Sequence, residues 1–309
     1  MADSILSADY FHNEEAAYRF VESRIWPSGP VCPHCGGVER NSLMGGKSTR
    51  IGTYKCYDCR KPFTVKVGTI FESSHIPLRL WLQAIFLIAS SKKGISANQL
   101  HRTLGVTLKS AWFLSHRIRE AMKSGGGSLF GQSGGAVEID ETYIGHAKPR
   151  KSGHRGGHHK QKVVSLIDRS SGRSKSVVVD HVNMKTLAPI LQSTISRNAH
   201  AMTDDGSWYS PLSLMFAKHD VVRHVDGEYV RASDRSVHTN TVEGFFSVFK
   251  RGMKGVYQHC GHHHLNRYLV EFDFRYSNRA KLGVNDAQRA DLLLRGVPGK
   301  RLTYKTVVH

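Results

Sequence analysis

The chain has 309 residues, long enough for two or three domains with cores of their own, and its 44 Lys and Arg against 25 Asp and Glu give a net charge of +19. Such an excess of positive charge favours a polyanionic partner. Because no apolar run approaches the roughly 20 residues of a membrane-spanning helix, nucleic acid is a better candidate for that partner than a membrane surface.

Residues 1–28 are predicted to form an N-terminal helical segment. Between residues 10 and 25, Ala17, Phe20 and Val21 recur on one helical face. The acidic residues Glu14 and Glu15 lie at the front of this segment, where the positive end of a helix dipole would be. Two prolines and a glycine at positions 27–30 then end the helix.

Residues 29–70 contain two CxxC pairs, Cys32 with Cys35 and Cys56 with Cys59, separated by 20 residues. Together they offer the four soft ligands of a closed, tetrahedral structural Zn²⁺ site, so the spacing predicts a zinc ribbon. The alternative is a pair of disulfides. It is disfavoured because the chain shows no secretory signal and the fifth cysteine, Cys260, would have no partner. So small a ribbon should depend on its metal for stability.

Residues 77–124 have the pattern of a helix-turn-helix domain. An apolar stripe from Leu80 to Ile88 predicts a packed helix, and a capping box at Ser96 opens a second helix that ends in a Leu-Gly-Val turn. A third helix follows from Thr107. Its charged side is expected to contact DNA in a major groove through Lys109, His116 and Arg117. A plain three-helix packing unit is the alternative.

A glycine-rich linker over residues 125–135 is expected to act as a flexible hinge before a second domain at 136–285, with 286–309 as a C-terminal tail. In this domain the pattern predicts three strands, then two further strands that alternate with helices. Three antiparallel strands extended by two parallel ones form a mixed five-stranded sheet with flanking helices. The predicted fold class is therefore α/β and ribonuclease H-like, preceded by the ribbon and the helix-turn-helix.

Three acidic positions lie where this fold could bring them together: Asp140 on the first strand, Asp204 at the end of the fourth, and Glu243 on the helix after the fifth. Carboxylate oxygens suit Mg²⁺, and two such ions can stabilise the attacking and leaving oxygens of phosphoryl transfer. Lys250 falls on the same helical side as Glu243. Together with Arg251 it is predicted to bind DNA phosphate. As a candidate catalytic residue, Lys250 is also expected to offset part of the repulsion among the acids.

The segment from residue 145 to residue 160 is rich in basic residues and glycine, and we expect it to be a mobile arm that binds DNA phosphate. Its basic side chains are those of Lys148, Arg150, Lys151, Arg155 and Lys160. Metal sites formed by His154, His158 and His159, or by Cys260 with the histidines at 262–264, are less favoured alternatives.

Five blocks of the sequence, in this order, resemble bacterial insertion-sequence transposases of the DDE superfamily that carry an N-terminal zinc ribbon, in the ISXO-like group related to the Merlin elements. The blocks lie at residues 24–37, 68–81, 137–145 (VEIDETYIG), 203–209 and 238–252 (HTNTVEGFFSVFKRG). The resemblance extends from about residue 10 to residue 280. Several blocks in the right order are more specific than any one alone.

This resemblance implies that Asp140 is the first catalytic acid, that Asp204 is the second, and that either Glu243 or Asn240 is the third metal ligand. It implies two catalytic Mg²⁺ or Mn²⁺ ions, cleavage at transposon ends, and joining of the freed 3′ ends to target DNA. Terminal inverted repeats and target DNA would be the partners of a homodimer or higher oligomer in the cytoplasm, associated with the nucleoid. The alternatives are a non-catalytic DNA-binding regulator and a nuclease acting on RNA–DNA hybrids.

Overall fold

A computed structural model of the chain describes residues 4–123, 126–145 and 159–303. These residues divide into two compact units. The first comprises residues 4–91, 95–123 and 283–303, and the second comprises residues 92–94, 126–145 and 159–282. Within the described ranges, no helix combines the length and the apolarity needed to cross a bilayer.

The first unit begins with helix α1, Glu14–Ile25, as predicted. The Asn13 side chain caps this helix by accepting the Ala16 N–H at 3.1 Å, and Ala17 and Val21 are buried. Glu14 has a second role, because its carboxylate accepts the N–H groups of Leu78 (2.6 Å) and Arg79 at the start of the next helix. That helix needs an outside acceptor, since Pro77 at its N-cap has no capping side chain.

A three-stranded antiparallel sheet follows, with β1 at Asn41–Leu43, β2 at Tyr54–Cys56 and β3 at Pro62–Phe63. It has a small core in which the rings of Trp26, Tyr54 and Phe63 pack about Cys32 and Cys56. A core of this size supports the expectation that bound metal supplies much of the stability of this sheet.

Three helices complete the predicted helical region: α2 at Leu78–Ser90, α3 at Ala97–Leu104 and α4 at Leu108–Ala121. The Ser96 side chain caps α3 by accepting the Gln99 N–H at 3.1 Å. Gly105 ends α3 in the left-handed region (φ 66°), and three residues separate α3 from α4. The helix–turn–helix arrangement of α3 and α4 thus agrees with the sequence pattern.

The prediction that His116 and Arg117 contact DNA is wrong, because both side chains are buried, at 0% and 5% exposure. The Arg117 guanidinium donates to the Glu72 carbonyl oxygen at 2.5 Å and lies over the rings of Trp81 and Phe113. Burial lowers the pKa of Arg117 to about 10. The two residues are therefore part of the packing of the first unit, and only Lys109 of the three predicted contacts is exposed.

Residues beyond 285 are not a plain tail, since Asp286–Arg295 form helix α9, which packs in the first unit against α2 and α1. The Arg24 guanidinium pairs with Asp291 at 2.5 Å, and Arg289 donates to the Ala89 carbonyl oxygen at 3.1 Å. The first unit is therefore built from segments at both ends of the described chain.

The second unit contains the predicted mixed sheet, whose strands are β4 at Ala136–Ile144, β5 at Gln161–Asp168, β6 at Ser174–Val179, β7 at His200–Asp204 and β8 at Lys218–Val222. Their order across the sheet is β6-β5-β4-β7-β8. Strands β4, β5 and β6 pair antiparallel, and β7 and β8 extend the sheet from β4 in parallel. The ribonuclease H-like fold class is confirmed.

Helices cover both faces of this sheet. Helix α5, Met184–Gln192, and the short helix α6, Leu212–Met215, pack on the face that carries Val137 and Ile139 of β4. Helices α7, Asn240–Gly252, and α8, Leu265–Ser277, pack on the other face. Since successive strand residues point to opposite faces, β4 presents Glu138 and Asp140 to the side of α7.

The second half of the glycine-rich linker is not a flexible hinge. Phe130 is buried, and its backbone exchanges hydrogen bonds with Thr194 (2.8 Å) and Ser196 (2.9 Å). Gly131 has φ +67°, and a Cβ there would lie 2.4 Å from that of Ala199. Glycine is thus required at position 131 for close packing.

Candidate active site

The acidic site forms where strands β4 and β7 part. Their parallel pairing ends with Glu138 opposite Met202. The same register, continued by two residues, sets Asp140 opposite Asp204, the last residue of β7. The two carboxylates therefore meet at the carboxyl end of β7, beyond the last paired residues, where ligands commonly bind in open α/β sheets.

A third carboxylate, that of Glu141, joins them. Ligand atoms of Asp140, Glu141 and Asp204 all lie within 4.8 Å of one another. The sequence reasoning missed Glu141, because consecutive strand residues normally point to opposite faces. Its side chain is oriented by Tyr209, a buried residue whose hydroxyl donates to Glu141 Oε2 at 2.7 Å. Two features of the sequence could have indicated a role for Glu141: its position directly after Asp140, and the tyrosine five residues after Asp204.

Burial and mutual repulsion act together on these acids. Burial, followed by the charges of Asp204, Glu141 and Glu243, raises the pKa of Asp140 to about 8. Burial and the neighbouring carboxylates also raise the pKa of Glu141 and that of Asp204. A divalent cation among them would relieve this repulsion, and all the donors are hard oxygen atoms, so the site fits Mg²⁺ or Mn²⁺.

Glu243 approaches the same site from helix α7, in its first turn. It lies outside the group of ligand atoms within 4.8 Å of one another, yet its charge raises the pKa values of Asp140 and Asp204. His224 Nε2 is 3.3 Å from Glu243 Oε1, and the Thr239 hydroxyl donates to the same oxygen at 3.3 Å. No sequence signal indicated His224.

The other residues predicted on α7 lie at its two ends. Asn240 is the first residue of the helix and is exposed. Lys250 and Arg251 are in the last turn, and the Arg251 Nε donates back to the Ser247 carbonyl oxygen at 3.0 Å. Among the described residues, no ion pair joins Lys250 to the acids.

Replacing Asp140 by Asn is expected to raise the melting temperature of the metal-free protein by several degrees at pH 8 or above. Asn removes a buried, repelled charge, and its Oδ1 can still accept the Glu141 N–H that Asp140 accepts at 2.7 Å. The direction of this change in melting temperature follows from the raised pKa of Asp140. The folded carboxyl holds its proton more tightly than the unfolded one, so the wild-type protein loses stability as the pH rises towards about 8.

Thermal unfolding in Mg²⁺-free buffer without chelator measures this effect, since a chelator would also remove zinc. Asp180→Asn, at an exposed position just after β6, is the matched control and should leave the melting temperature unchanged. Added Mg²⁺ should raise the melting temperature of the wild type more than that of Asp140→Asn. An Asp140→Asn protein no more stable than wild type without metal would contradict the repulsion argument.

The four predicted zinc ligands come together in the first unit. Cys32 Sγ lies 3.6 Å from Cys59 Sγ, and Cys35 Sγ lies 3.6 Å from Cys56 Sγ. All four sulfur atoms are within 4.8 Å of one another. Zn–S bonds of about 2.3 Å in a tetrahedron place sulfur atoms about 3.8 Å apart, whereas a disulfide requires about 2.0 Å. The arrangement fits one Zn²⁺, and the cysteines are not paired as disulfides.

The predicted DNA-contact residues are only partly described. Lys109, next to the N-terminus of α4, is exposed, and Lys160, just before β5, is partly exposed. The remaining arm residues lie outside the described residues, as do two of the three arm histidines: Lys148, Arg150, Lys151, Arg155, His154 and His158. Within the described part of the chain, Cys260 and its neighbouring histidines form no metal-binding cluster.

Comparison with known proteins agrees with these observations. Residues 132–277 match the ISXO2-like transposase domain, and residues 12–62 match the transposase zinc-ribbon domain. A curated protein of Halobacterium salinarum, described as an uncharacterized protein in transposable element ISH50, is 27% identical over 282 residues, covering 86% of this chain and 91% of its own length. This relative comes from an archaeon, whereas the resemblance pointed to bacterial elements.

Proposed function

Because residues 132–277 match the ISXO2-like transposase domain and residues 12–62 match the transposase zinc-ribbon domain, we propose that the chain is a transposase that binds the ends of its own insertion sequence, cleaves the DNA there and joins the 3′ ends to target DNA. The observation that carries this proposal is the convergence of Asp140 and Asp204, with Glu141 beside them and Glu243 facing them from α7. Acids that depress one another's ionisation in this way suit divalent cations and phosphoryl transfer.

In this proposal Asp140, Asp204 and Glu243 hold the catalytic ions, and Asn240 is the alternative to Glu243. Bound Mg²⁺ or Mn²⁺ would supply charge stabilisation to the attacking and leaving oxygens. The protein's own contribution is to hold these ligands in place: Tyr209 fixes Glu141, and His224 and Thr239 contact Glu243. Lys250 and Arg251, at the other end of α7, would bind DNA phosphate.

The proposal is tested by incubating the protein with labelled duplexes taken from both ends of its own element, with and without Mg²⁺. We expect Mg²⁺-dependent nicking at a fixed position and, when target DNA is added, joined products. Duplexes of the same composition but scrambled sequence are the control and should not be cut at a fixed position. Specific binding without cleavage under any of these conditions would instead favour a non-catalytic regulator.

The affinity for end DNA is expected to fall by at least about a hundredfold between 50 and 200 mM salt, because a chain with a net charge of +19 should displace several counterions from DNA. Deleting residues 146–158 should weaken binding to all sequences and reduce the salt slope. Lys109→Ala should reduce the preference for end DNA, whereas Lys281→Ala, an exposed lysine of the second unit, is the control. Fluorescence anisotropy measures these effects, and a flat salt response would contradict the charge argument.

A further inference from the structure

A buried acid that the proposed chemistry does not use connects two of the three elements that carry the proposed catalytic acids, strand β4 and helix α7. Glu138 is two residues before Asp140 on β4, points to the same face of the sheet, and is 0% exposed. A carboxylate buried this completely must have its oxygen atoms satisfied by donors. The donors that Glu138 uses come from the start of helix α7 and from Arg169.

Glu138 Oε2 accepts the backbone N–H groups of Thr241 and Val242, each at 2.9 Å. These are two of the N–H groups that a helix leaves without an internal acceptor at its N-terminus, and a capping side chain normally satisfies them. Thr239 is the N-cap residue of α7, but its side chain makes no capping hydrogen bond. Its hydroxyl instead contacts Glu243 and His224, at 3.3 Å each. Strand β4 therefore supplies the cap of α7.

Arg169 neutralises the buried charge and extends the connection. Its Nε donates to Glu138 Oε1 at 2.5 Å, and its Nη2 donates to the carbonyl oxygen and to Nδ1 of His238, at 2.7 Å each. The guanidinium also donates to the Ser236 carbonyl oxygen at 2.5 Å. The segment that leads into α7 and the first turn of α7 are thus both attached to one carboxylate on β4.

We propose that Glu138 is a positioning residue for the active site, which holds the first turn of α7, and with it Glu243 and Asn240, at a fixed place relative to Asp140. The geometry that carries this proposal is that Glu138 lies two residues before Asp140, while its two N–H donors lie immediately before Glu243. This inference rests on the proposed transposase function, but the placement of the metal ligands can be measured without cleavage.

The test compares the buried Glu138 with the partly buried Asp273, two carboxylates that each accept at least one backbone N–H group. Glu138→Gln keeps the size of the side chain but replaces one carboxylate oxygen by an NH2 group. Both oxygens of Glu138 accept hydrogen bonds, so the NH2 group would face a donor. Asp273→Asn is the matched control, because Asp273 on α8 accepts the N–H (2.7 Å) and the hydroxyl (2.9 Å) of Ser176 on β6 and so attaches a different helix to the sheet. Arg169→Lys is a milder variant that keeps the positive charge beside Glu138.

Three properties of each full-length variant are measured: the melting temperature, the Mg²⁺ concentration that gives half of the metal-dependent rise in melting temperature, and the single-turnover cleavage rate at saturating DNA and metal. For Glu138→Gln we expect the half-saturating Mg²⁺ concentration to rise about tenfold. The cleavage rate should fall about 10- to 100-fold. Asp273→Asn should lose melting temperature without either change.

A wild-type cleavage rate and wild-type Mg²⁺ dependence in Glu138→Gln would overturn the proposal, as would equal changes in Asp273→Asn at the same loss of melting temperature. If Glu138→Gln does not fold, Arg169→Lys provides the test. It should raise the half-saturating Mg²⁺ concentration by a smaller factor, and an unchanged value would overturn the proposal. If wild-type protein shows no cleavage, the proposed function fails, while the Mg²⁺ titrations still support or overturn the role of Glu138.

Discussion

Asp140→Asn and Asp204→Asn are each expected to lower the rates of end cleavage and strand joining by at least about a thousandfold, which corresponds to roughly 4 kcal/mol of transition-state stabilisation. Each change removes a carboxylate that we propose binds metal, from a site where ligand atoms of Asp140, Glu141 and Asp204 lie within 4.8 Å of one another. Neither residue is part of a hydrophobic core cluster, so DNA binding and folding should be retained. Single-turnover cleavage of end duplexes in Mg²⁺ measures the loss, and anisotropy measures the retained binding.

The same assay identifies the third acid. Glu243→Gln should match the aspartate variants, because an ionised oxygen serves Mg²⁺ better than a neutral amide and its charge already acts on Asp140 and Asp204. Asn240→Ala, at an exposed position, should lose less activity. If Asn240→Ala abolishes cleavage and Glu243→Gln does not, Asn240 is the ligand. If Glu141→Gln is inactive and Glu243→Gln is active, Glu141 is the third metal ligand.

Loss of zinc is expected to unfold the ribbon and to reduce the affinity for end DNA by at least about a hundredfold, since metal binding to small zinc domains contributes on the order of 10 kcal/mol to folding. Cys35→Ser is the most informative variant. Cys35 is exposed, so the substitution removes a ligand without creating a cavity in the small aromatic core. Elemental analysis should show one zinc per wild-type chain and almost none in Cys35→Ser.

Cys260→Ser is the control for this experiment, because Cys260 lies in the second unit and should leave the zinc content unchanged. Hydrogen exchange locates the effect. Amides of the ribbon strands should lose protection in Cys35→Ser, while those of the five-stranded sheet keep it. Folded, protected ribbon residues in protein that contains no zinc would contradict the proposed role of the metal.

Features with a strong local signal were predictable from the sequence. The CxxC spacing predicted the sulfur cluster, and apolar periodicity with turn residues predicted the five strands along the chain. General rules on strand connections then predicted how these strands are arranged in the sheet. Asp140 and Asp204 could be chosen because Asp140 lies on the first predicted strand and Asp204 at the end of the fourth, and the predicted sheet could bring these two positions together.

The burial of His116 and Arg117 could not be predicted in this way, because charged residues are normally assigned to the exposed side of a helix. The Arg117 guanidinium is accommodated by the Glu72 carbonyl group and the Trp81 ring, which come from other elements, and by the Phe113 ring of its own helix. The proposed role of Glu138 could not be predicted either, since its two backbone N–H donors are 103 and 104 residues away in the sequence. Such long-range polar contacts leave no periodic pattern.

The position of α9 has a consequence for how the protein is made. A ribosome synthesises residues 283–303 after the whole of the second unit, yet these residues complete the first unit, which carries the zinc ribbon. The five-stranded sheet can therefore fold during translation before the ribbon-bearing unit is whole. A chain whose synthesis stops before residue 286 would lack the contacts from Asp291 to Arg24 and from Arg289 to Ala89. Early termination is thus expected to leave the unit that carries the zinc ribbon unfinished, while every residue of the five-stranded sheet has been synthesised.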